Sequence, residues 1–592
     1  MIIGIDLGTT NSLATTYKNG EVVFIPNPLG HYLTPSVVSV APNHDIIVGE
    51  VAKERLVTAP EYTFSMFKRD MGRDIQWSVY KQPYTPELLS GFIIRQLVND
   101  AEAYLKTKVT KAVVSVPAYF NALQRSATKR AGEMAGVKVE VLVNEPSAAA
   151  LTCRDESADE AFIVFDFGGG TLDVSIVESF MNIININVIA GDNHLGGRDF
   201  DQLIVQIFCQ ENQLIVEQLT SQEQEILIKN AEAAKMNLGS GNKNIQMAAT
   251  IHDTEYTMTL NNQLLYDASH YLFERIRKVL AKAINDSGLT TEDISKCILV
   301  GGACGLTVVQ RYLKNVLKLT IVQPDRGDQV VARGLGIYTG IKMRSEKVKS
   351  LVLTDICPFS LGTSIRNPNS EEPNLMSVII PRNATLPITK MQTYSTNRHG
   401  QKRVNLPVIQ GDSYYAKDNL ELGVLVLPVP YNKTGYESVE VAFTYDINAT
   451  LIIETHVLST GEKRTFVVRD NQIIEDIDLA TPVLEKSRAV AAQLFDPLLL
   501  PLQLLTERAL SMYEDSIEPM RGLIAEILMK CERLDEQTSL VKRNKEIQKY
   551  NQLLDEIERF KSEHLFFAEQ EKRKIIDINE VRRNGHMENP SD

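Results

Sequence analysis

The sequence predicts a multidomain chain: an α/β portion first, an all-β unit next and an all-α end. Three observations carry this. Up to about residue 345 short β-branched strands alternate with helical stretches, from Cys357 to about 478 the strands become short and alternating, and from about Thr481 amphipathic helical patterns run almost to the terminus. At 592 residues the chain is too long for one core, and roughly three or four domains are expected.

The first element is IGIDLGTTNS: Ile2, Ile3 and Ile5 read as a strand, Asp6 ends it, Gly8, Thr9 and Thr10 turn, and Leu13 to Tyr17 return. A second stretch, VFDFGGGTLDVS at 164–175, repeats the order of strand, aspartate, glycine turn and return strand. A run of glycines brings bare backbone N–H groups close to whatever lies above it, which suits phosphate. Two carboxylates beside phosphate repel it unless a divalent cation lies between them, so Asp166, Thr171 and Asp173 together suggest a metal-bound polyphosphate. A plain glycine hairpin would use the same residues. The second copy favours the phosphate reading, because two such hairpins can hold one nucleotide tail from both sides. No G-x-x-x-x-G-K-[ST] loop occurs, and GLGIYTG at 334–340 has the wrong spacing for a dinucleotide site.

Further along, KAVVSVPAYF reads as a strand stopped by Pro117, and NALQRSATKRAGEMAG as a helix ending at Gly136. VEVLV (139–143) is a short strand, and Pro146 in NEPSAAAL suits the first position of a helix. CILVGGACG is a buried strand broken by glycines. EKVKSLVLTD (346–355) runs from charged to apolar without a helix cap and reads as a linker that seeks a docking groove. TYSTN, RVNLPVIQG and ATLIIETHVL are antiparallel strands, with Pro407 marking an edge or a bulge. NGHMENPSD at the end is polar and reads as disordered.

Composition narrows the function classes. With 44% hydrophobic and 23% charged residues the chain is ordinary for a soluble globular protein. The longest apolar run, LFDPLLLPLQLL, carries an aspartate and two prolines, so no membrane span is expected. Strand residues begin at Ile2 with no basic stretch before them, which argues against a secretory signal. Cys153, Cys209, Cys297, Cys304, Cys357 and Cys531 lack metal-ligand spacing, and reduced thiols in a cytoplasm are expected. A net charge of −13 disfavours a nucleic-acid partner.

GIDLGTTNS, VVSVPAYFNALQRSATKRAGEMAG, NEPSAAAL, VFDFGGGTLDVS, GDNHLGGRDFD, ILVGGA and DICPFSLG, in this order, resemble the heat-shock protein 70 family of DnaK-type chaperones, and look most similar to its divergent HscC branch. The resemblance implies an actin-like two-lobed ATPase domain over 1–345, an interdomain linker at 346–356, a β-sandwich substrate-binding domain over 357–478, a helical lid over 479–583 and a disordered tail at 584–592. It implies ATP or ADP with Mg²⁺, and K⁺ as a further cation. By the same resemblance Asp6 and Asp166 hold hydrated Mg²⁺, while Thr9, Thr10, Asn11, Gly168, Gly169, Gly170 and Thr171 contact phosphates. Lys68 matches the catalytic lysine, Glu145 and Asp173 position water and metal, and Thr171 helps place the nucleophile. Without the family, Lys68 beside Arg69 would read as an exposed basic pair, Glu145 as a helix N-terminal carboxylate and Asp173 as a turn-end residue.

Gly197, Glu232, Lys235, Gly301, Gly302 and Asp328 match positions around ribose and base. The family sandwiches adenine between two arginine stems, whereas Met236 and Gly305 stand here, so weaker nucleotide binding and faster ADP release are expected. Pro117 and Arg125 match a proline switch. Leu351, Val352, Leu353 and Asp355 match a linker that docks when ATP is bound and comes free afterwards. Tyr394 and Val404 match pocket positions of a groove for extended hydrophobic peptide, with Thr363 and Ile365 beside them; Thr363 and Arg366 make that groove more polar than is usual. Tyr119, Asn121 and Asp355 keep parts of a docking surface for a J-domain cochaperone, while Ala122 and Val141 depart from it, so a dedicated J-protein or none is implied. Two other readings share the core: a metabolite kinase, which residues 346–592 disfavour, and a non-catalytic nucleotide-gated scaffold.

Overall fold

The computed structural model describes residues 1–564 apart from 156–157, 181, 368–372, 470–471, 515–519 and 535–538. It divides into two compact units, Met1–Arg488 and Ala489–Asp592. The expected tail at 584–592 and residues 565–583 of the expected helical segment lie outside the described residues.

IIGID and FIVFD are apolar at nearly every position because both faces of their sheets are covered. Ile2–Asp6 pairs antiparallel with Asn11–Lys18, which pairs with Glu21–Ile25; its other side is parallel to Lys111–Val116, itself parallel to Lys138–Asn144. The second sheet repeats this plan. Glu160–Phe167 pairs antiparallel with Leu172–Phe180 and then Ile183–Asp192, while its other side is parallel to Ile294–Val300 and Thr320–Val322. The internal repeat seen in two short hairpins is therefore a repeat of whole sheets.

Helices Glu145–Cys153 and Val330–Lys342 join the two copies: Val113, Ala148, Phe162, Val164 and Leu335 lie in one buried cluster. A Cβ on Gly334 would stand 1.8 Å from the Ala148 carbonyl oxygen, so only glycine permits the helices to approach this closely. Helix Ala122–Met134 starts where Asn121 accepts from the Gln124 backbone and the Gln124 side chain accepts in return. Gly136, with φ +81°, follows it. Pro146 is the second helical residue, with Glu145 before it.

The all-β stretch forms two antiparallel sheets. One has the order Leu375–Ile380, Leu361–Ile365, Arg403–Gln410, Leu420–Pro428; the other runs Ile388–Ser395, Ser438–Tyr445, Leu451–Val457, Glu462–Arg469, Gln472–Glu475. Leu361, Val404 and Leu406 from the first and Val441, Phe443 and Ile453 from the second share one core. Pro407 sits in an inner strand. Pairing with Leu361–Ile365 covers only Val408–Gln410, so Pro407 has a strand on one side alone, and a register shift follows it between Val408 and Ile409.

The segment read as a linker is itself a strand at Val352–Thr354, parallel to Ile183–Asp192 and last in the second α/β sheet. Leu351 is buried with Tyr17 and Val348. The β sheets lie against the α/β portion: the Ala122 amide donates to Gln410 at 2.9 Å, Arg382 pairs with Asp286 at 2.7 Å and the Tyr119 and Phe359 rings are 4.4 Å apart.

In the second unit, Met520–Cys531 and Leu540–His564 pack through Ile524, Ile527, Tyr550 and Leu554 against Leu505 and Ala509. Among the described residues no helix is long and apolar enough to cross a membrane.

Candidate functional site

The two glycine turns face each other. A Cβ on Gly169 would lie 1.8 Å from Thr10 Oγ1, and one on Gly170 would lie 2.6 Å from Thr9 Cγ2, so the approach requires glycine on one side. The second turn closes through the Gly168 amide donating to Thr171 O at 3.1 Å, and the amides of Gly197 and Arg198 donate to the carbonyls of Gly168 and Gly169, both at 2.9 Å. Between the turns opens a cleft of about 690 Å³ that includes Thr9, Thr10, Asn11, Lys68, Glu145 and Thr171 in its wall.

Asp6 ends its strand and accepts from Ser115 Oγ at 2.7 Å; that hydroxyl in turn accepts from the Leu7 amide at 3.2 Å. Asp166 and Asp173 are cross-strand partners at the mouth of the second hairpin. Lys68 Nζ donates to Glu145 Oε1 at 2.7 Å, both side chains buried, and lies 5.7 Å from the centre of the Phe120 ring. The exposed basic pair is therefore excluded: Lys68 is 4% exposed, and Arg69 ties the Gly170 carbonyl to Asp199 at 3.0 and 2.7 Å.

One buried cation faces four carboxylates. Burial first, then Glu145, pushes the Asp6 and Asp173 carboxyls up to about 7, and raises Asp166 well above the usual range with Asp173 and Asp6 adding to it. Asp173 Oδ2 has no hydrogen-bond partner. These groups fit a divalent cation, which would relieve their repulsion and take up that orphaned oxygen. Among the described residues no three His, Cys, Asp or Glu side chains converge as a ligand set.

Beyond the turns, Gly197 leads to Lys235, whose Nζ pairs with Asp201 at 2.6 Å and donates to Gly197 O at 2.9 Å. Glu232 pairs with Lys53 at 3.3 Å. Gly301, with φ +87°, crosses over Phe167, and its amide donates to Gly327 O at 3.1 Å, bringing Asp328 and Gly302 to the same wall.

A second polar chain leaves the cleft. Arg125 donates to the carbonyls of Phe120 and Ala118 and to Asn144 Oδ1, while the Phe120 amide donates to Pro117 O. Asn144 Nδ2 and Ser147 Oγ donate to Asp355, whose carboxyl is raised by burial against these bonds. Val352 and Leu353 pair in register with Ile183 and Ile184.

The residues read as a peptide groove are only partly together. Thr363 opposes Ser377 across strands, and Ser377 Oγ lies 3.0 Å from Tyr394 Oη. Thr363 is buried with Oγ1 unpartnered, Val404 belongs to the core and Ile365 is exposed.

Ser115, Asn144, Asp199 and Asp201 hold the site and were not singled out from sequence. Ser115 alternates with valines, as any strand serine does, and Asn144 had the signal of preceding Glu145-Pro146 as a helix N-cap; neither position names its partner.

A repeated α/β core whose glycine turns enclose a polyphosphate-sized cleft, with a strand leading from one repeat into an all-β portion packed against it, defines a class: nucleotide-driven proteins with a second site on the same chain. The family model described as Hsp70 protein matches residues 2–583. The chain is 35% identical over 522 residues to the chaperone protein dnaK of Cyanidioschyzon merolae, covering 82% of this chain and 84% of that one. It is 35% identical over 502 residues to the chaperone protein DnaK of Thermotoga petrophila and 34% over 502 residues to that of Thermotoga neapolitana, covering 82% of this chain and 83% of each relative. The chain belongs to the Hsp70 family. It is an ATP-dependent molecular chaperone and an ATPase, using ATP and ADP with Mg²⁺ and binding unfolded polypeptides.

Proposed function

We propose that hydrolysis in this cleft is reported to a peptide groove at the strand edges of the β unit through the strand Val352–Thr354. The observation that carries the reading is a continuous ladder: Asp173 lies on Leu172–Phe180, which pairs with Ile183–Asp192, which pairs with Val352–Thr354. A change at the γ-phosphate is thereby one sheet away from the linker. Lys68 orients the attacking water and offsets developing charge, Glu145 and Asp173 position water and metal, and Thr171 places the nucleophile. Mg²⁺ supplies charge neutralisation at the phosphates, with K⁺ as the further cation. Pro117, Arg125, Asn144 and Asp355 sense whether the linker is docked.

Thr363, Ile365, Tyr394 and Val404 belong to the groove, which takes an extended segment of hydrophobic peptide along strand edges. The helices from Ile477 onward act as its lid. A dedicated J-domain protein is the partner that fits Tyr119, Asn121 and Asp355 with Ala122 altered; Val141, expected on that surface, is instead buried in the core with Val113 and Ala148. Six free thiols, five of them buried, suit a cytoplasmic setting. A fluorescent hydrophobic peptide bound in ADP should leave rapidly on addition of ATP; equal retention in both nucleotides would refute the coupling.

A further inference from the structure

One end of the β unit carries charge of a single sign. Ser395 closes the strand of Tyr394 and Arg403 opens the strand of Val404, and the loop between them, TNRHGQK (396–402), lies against VPYNKTGYE (429–437), since Ser395 pairs with Ser438 and Arg403 with Pro428. Backbone bonds fasten the two loops together. The amides of Thr396 and Gly400 donate to the carbonyls of Glu437 and Asn432 at 2.9 and 2.6 Å, and the Val429 amide donates to Lys402 O at 3.0 Å. Gly400 has φ +70°, and a Cβ there would stand 3.0 Å from the Tyr431 ring. The His399 and Tyr436 rings are 4.4 Å apart, and Lys402 Nζ lies 5.5 Å from the centre of the Tyr431 ring. Arg398, Lys402, Arg403 and Lys433 are all exposed, and none of them forms an ion pair with a described residue. Glu437 is the one acidic residue of the two loops; it is buried, accepting from Asn432 Nδ2 at 3.0 Å and from Ser459 Oγ. The neighbouring loop after Ile365 carries Arg366 with Glu371 and Glu372, and those two glutamates lie outside the described residues, so the surface is the two fastened loops alone.

We propose that this surface selects extended segments whose apolar stretch is flanked by acidic residues, and disfavours those flanked by lysine or arginine. The inference rests on the groove reading, in which the peptide lies along Tyr394 and Val404, the two positions that the first loop connects. Four uncompensated cations on one platform raise the local positive potential, so carboxylates beside them relieve repulsion while further cations add to it. Arginine forks accept a carboxylate through two parallel hydrogen bonds, which suits Arg398 and Arg403 to the task. Tyr431 and Tyr436, 59% and 56% exposed, offer ring faces to the apolar part of the same segment. Because the loops are fastened to each other, little ordering cost falls on the loop backbone when a segment arrives. All four cations stand in water, so the preference is moderate and fades as salt screens it.

The test is fluorescence anisotropy of the full-length chain in ADP with three labelled peptides that share a leucine-rich centre and carry glutamates, serines or lysines at both ends. At low salt the glutamate-ended peptide should bind at least about fivefold more tightly than the lysine-ended one, with the serine-ended peptide between them. In about 1 M salt, where the screening length is about 3 Å, the gap should shrink to within about twofold. Equal or tighter binding of the lysine-ended peptide, with all three released on addition of ATP, overturns the preference and leaves the groove standing; a gap undiminished by salt overturns charge as its cause. Failure of all three to bind, or to be released by ATP, overturns the groove itself. As a second measurement, Arg398→Glu combined with Arg403→Glu should reverse the order of the three peptides. Neither side chain is bonded to a described residue, so the variant keeps the contacts of the fold. An unchanged order in a variant of unaltered melting temperature overturns the assignment to these loops.

Discussion

Asn144 Nδ2 lies 2.8 and 2.9 Å from the two carboxylate oxygens of Asp355, and Asn144 Oδ1 accepts from Arg125 at 2.5 Å. One amide therefore joins the residue before Glu145 to the end of the linker strand. Asn144→Ala leaves a buried carboxylate short of a donor and a guanidinium short of an acceptor, at a cost of about 1–3 kcal/mol to the docked linker. Hydrogen exchange of residues 346–356 should quicken by roughly tenfold to a hundredfold, with the Val352 amide, which donates to Asn182 O at 2.9 Å, among those released. Unchanged protection removes Asn144 from the relay.

Asp173 gives a pH dependence whose sign follows from burial. Its carboxyl is near 3.8 when exposed and is pushed up to about 7 in the folded cleft, so the folded state holds the proton more tightly. The stability it contributes is full below about 4 and is lost as pH rises through 7. Without Mg²⁺, the melting temperature of the wild type should fall more between pH 5 and pH 8 than that of Asp173→Asn. Adding Mg²⁺ with nucleotide should raise the wild-type value more at pH 8, where the carboxylates are ionised. Parallel curves for the two proteins, or a larger cation effect at pH 5, contradict this.

Lys68→Ala removes the cation that faces Glu145 and the aspartates. Single-turnover hydrolysis should slow by at least about a hundredfold, while ATP affinity changes much less, because the ammonium acts on charge that develops in the transition state. The same change leaves Glu145 uncompensated and destabilises the fold by about 3–5 kcal/mol. Lys68→Ala combined with Glu145→Gln should recover part of that stability and none of the rate. Hydrolysis unchanged in Lys68→Ala would instead support a nucleotide-gated scaffold.

Much of this was legible in the chain itself. Two hairpins with matching aspartates announced the doubled sheet, and the shift at Cys357 announced the β unit, because strand periodicity and glycine turns are local signals. Residue pattern alone would leave Lys68 and Arg69 an exposed basic pair, since the burial of Arg69 depends on Gly170 and Asp199, which lie 101 and 130 residues away. Ser115 escaped notice for the same reason: its partner Asp6 is 109 residues distant. The linker's apolar half signalled docking, and its conversion into a sheet strand needed the edge of Ile183–Asp192, which no local pattern identifies. Met236 and Gly305 were visible as departures from the family pattern.

With Met236 and Gly305 where the resemblance implies two stacking stems, the expected hold on ADP is weaker by roughly 1 kcal/mol for each, which corresponds to release roughly fivefold faster per position. Stopped-flow displacement of a ribose-labelled ADP should show departure within seconds. Gly305→Arg should slow it. Retention for minutes in the wild type contradicts the expectation.

The contact between the turns offers a rescue experiment. Gly169→Ala places a methyl group 1.8 Å from Thr10 Oγ1 and 3.0 Å from Thr10 Cβ, so the hairpins must separate and the phosphates lose one side of their grip. ATP affinity should fall by at least about tenfold, in keeping with overpacking costs of 1–3 kcal/mol. Thr10→Ala deletes the hydroxyl that clashes and keeps the Cβ, so Gly169→Ala with Thr10→Ala should bind ATP more tightly than Gly169→Ala alone, despite losing a second turn residue. Isothermal titration of the three variants measures the coupling directly. If the double variant were the weakest binder, the closeness of the two turns would have no part in holding the nucleotide, and the doubled hairpin would serve the sheets alone.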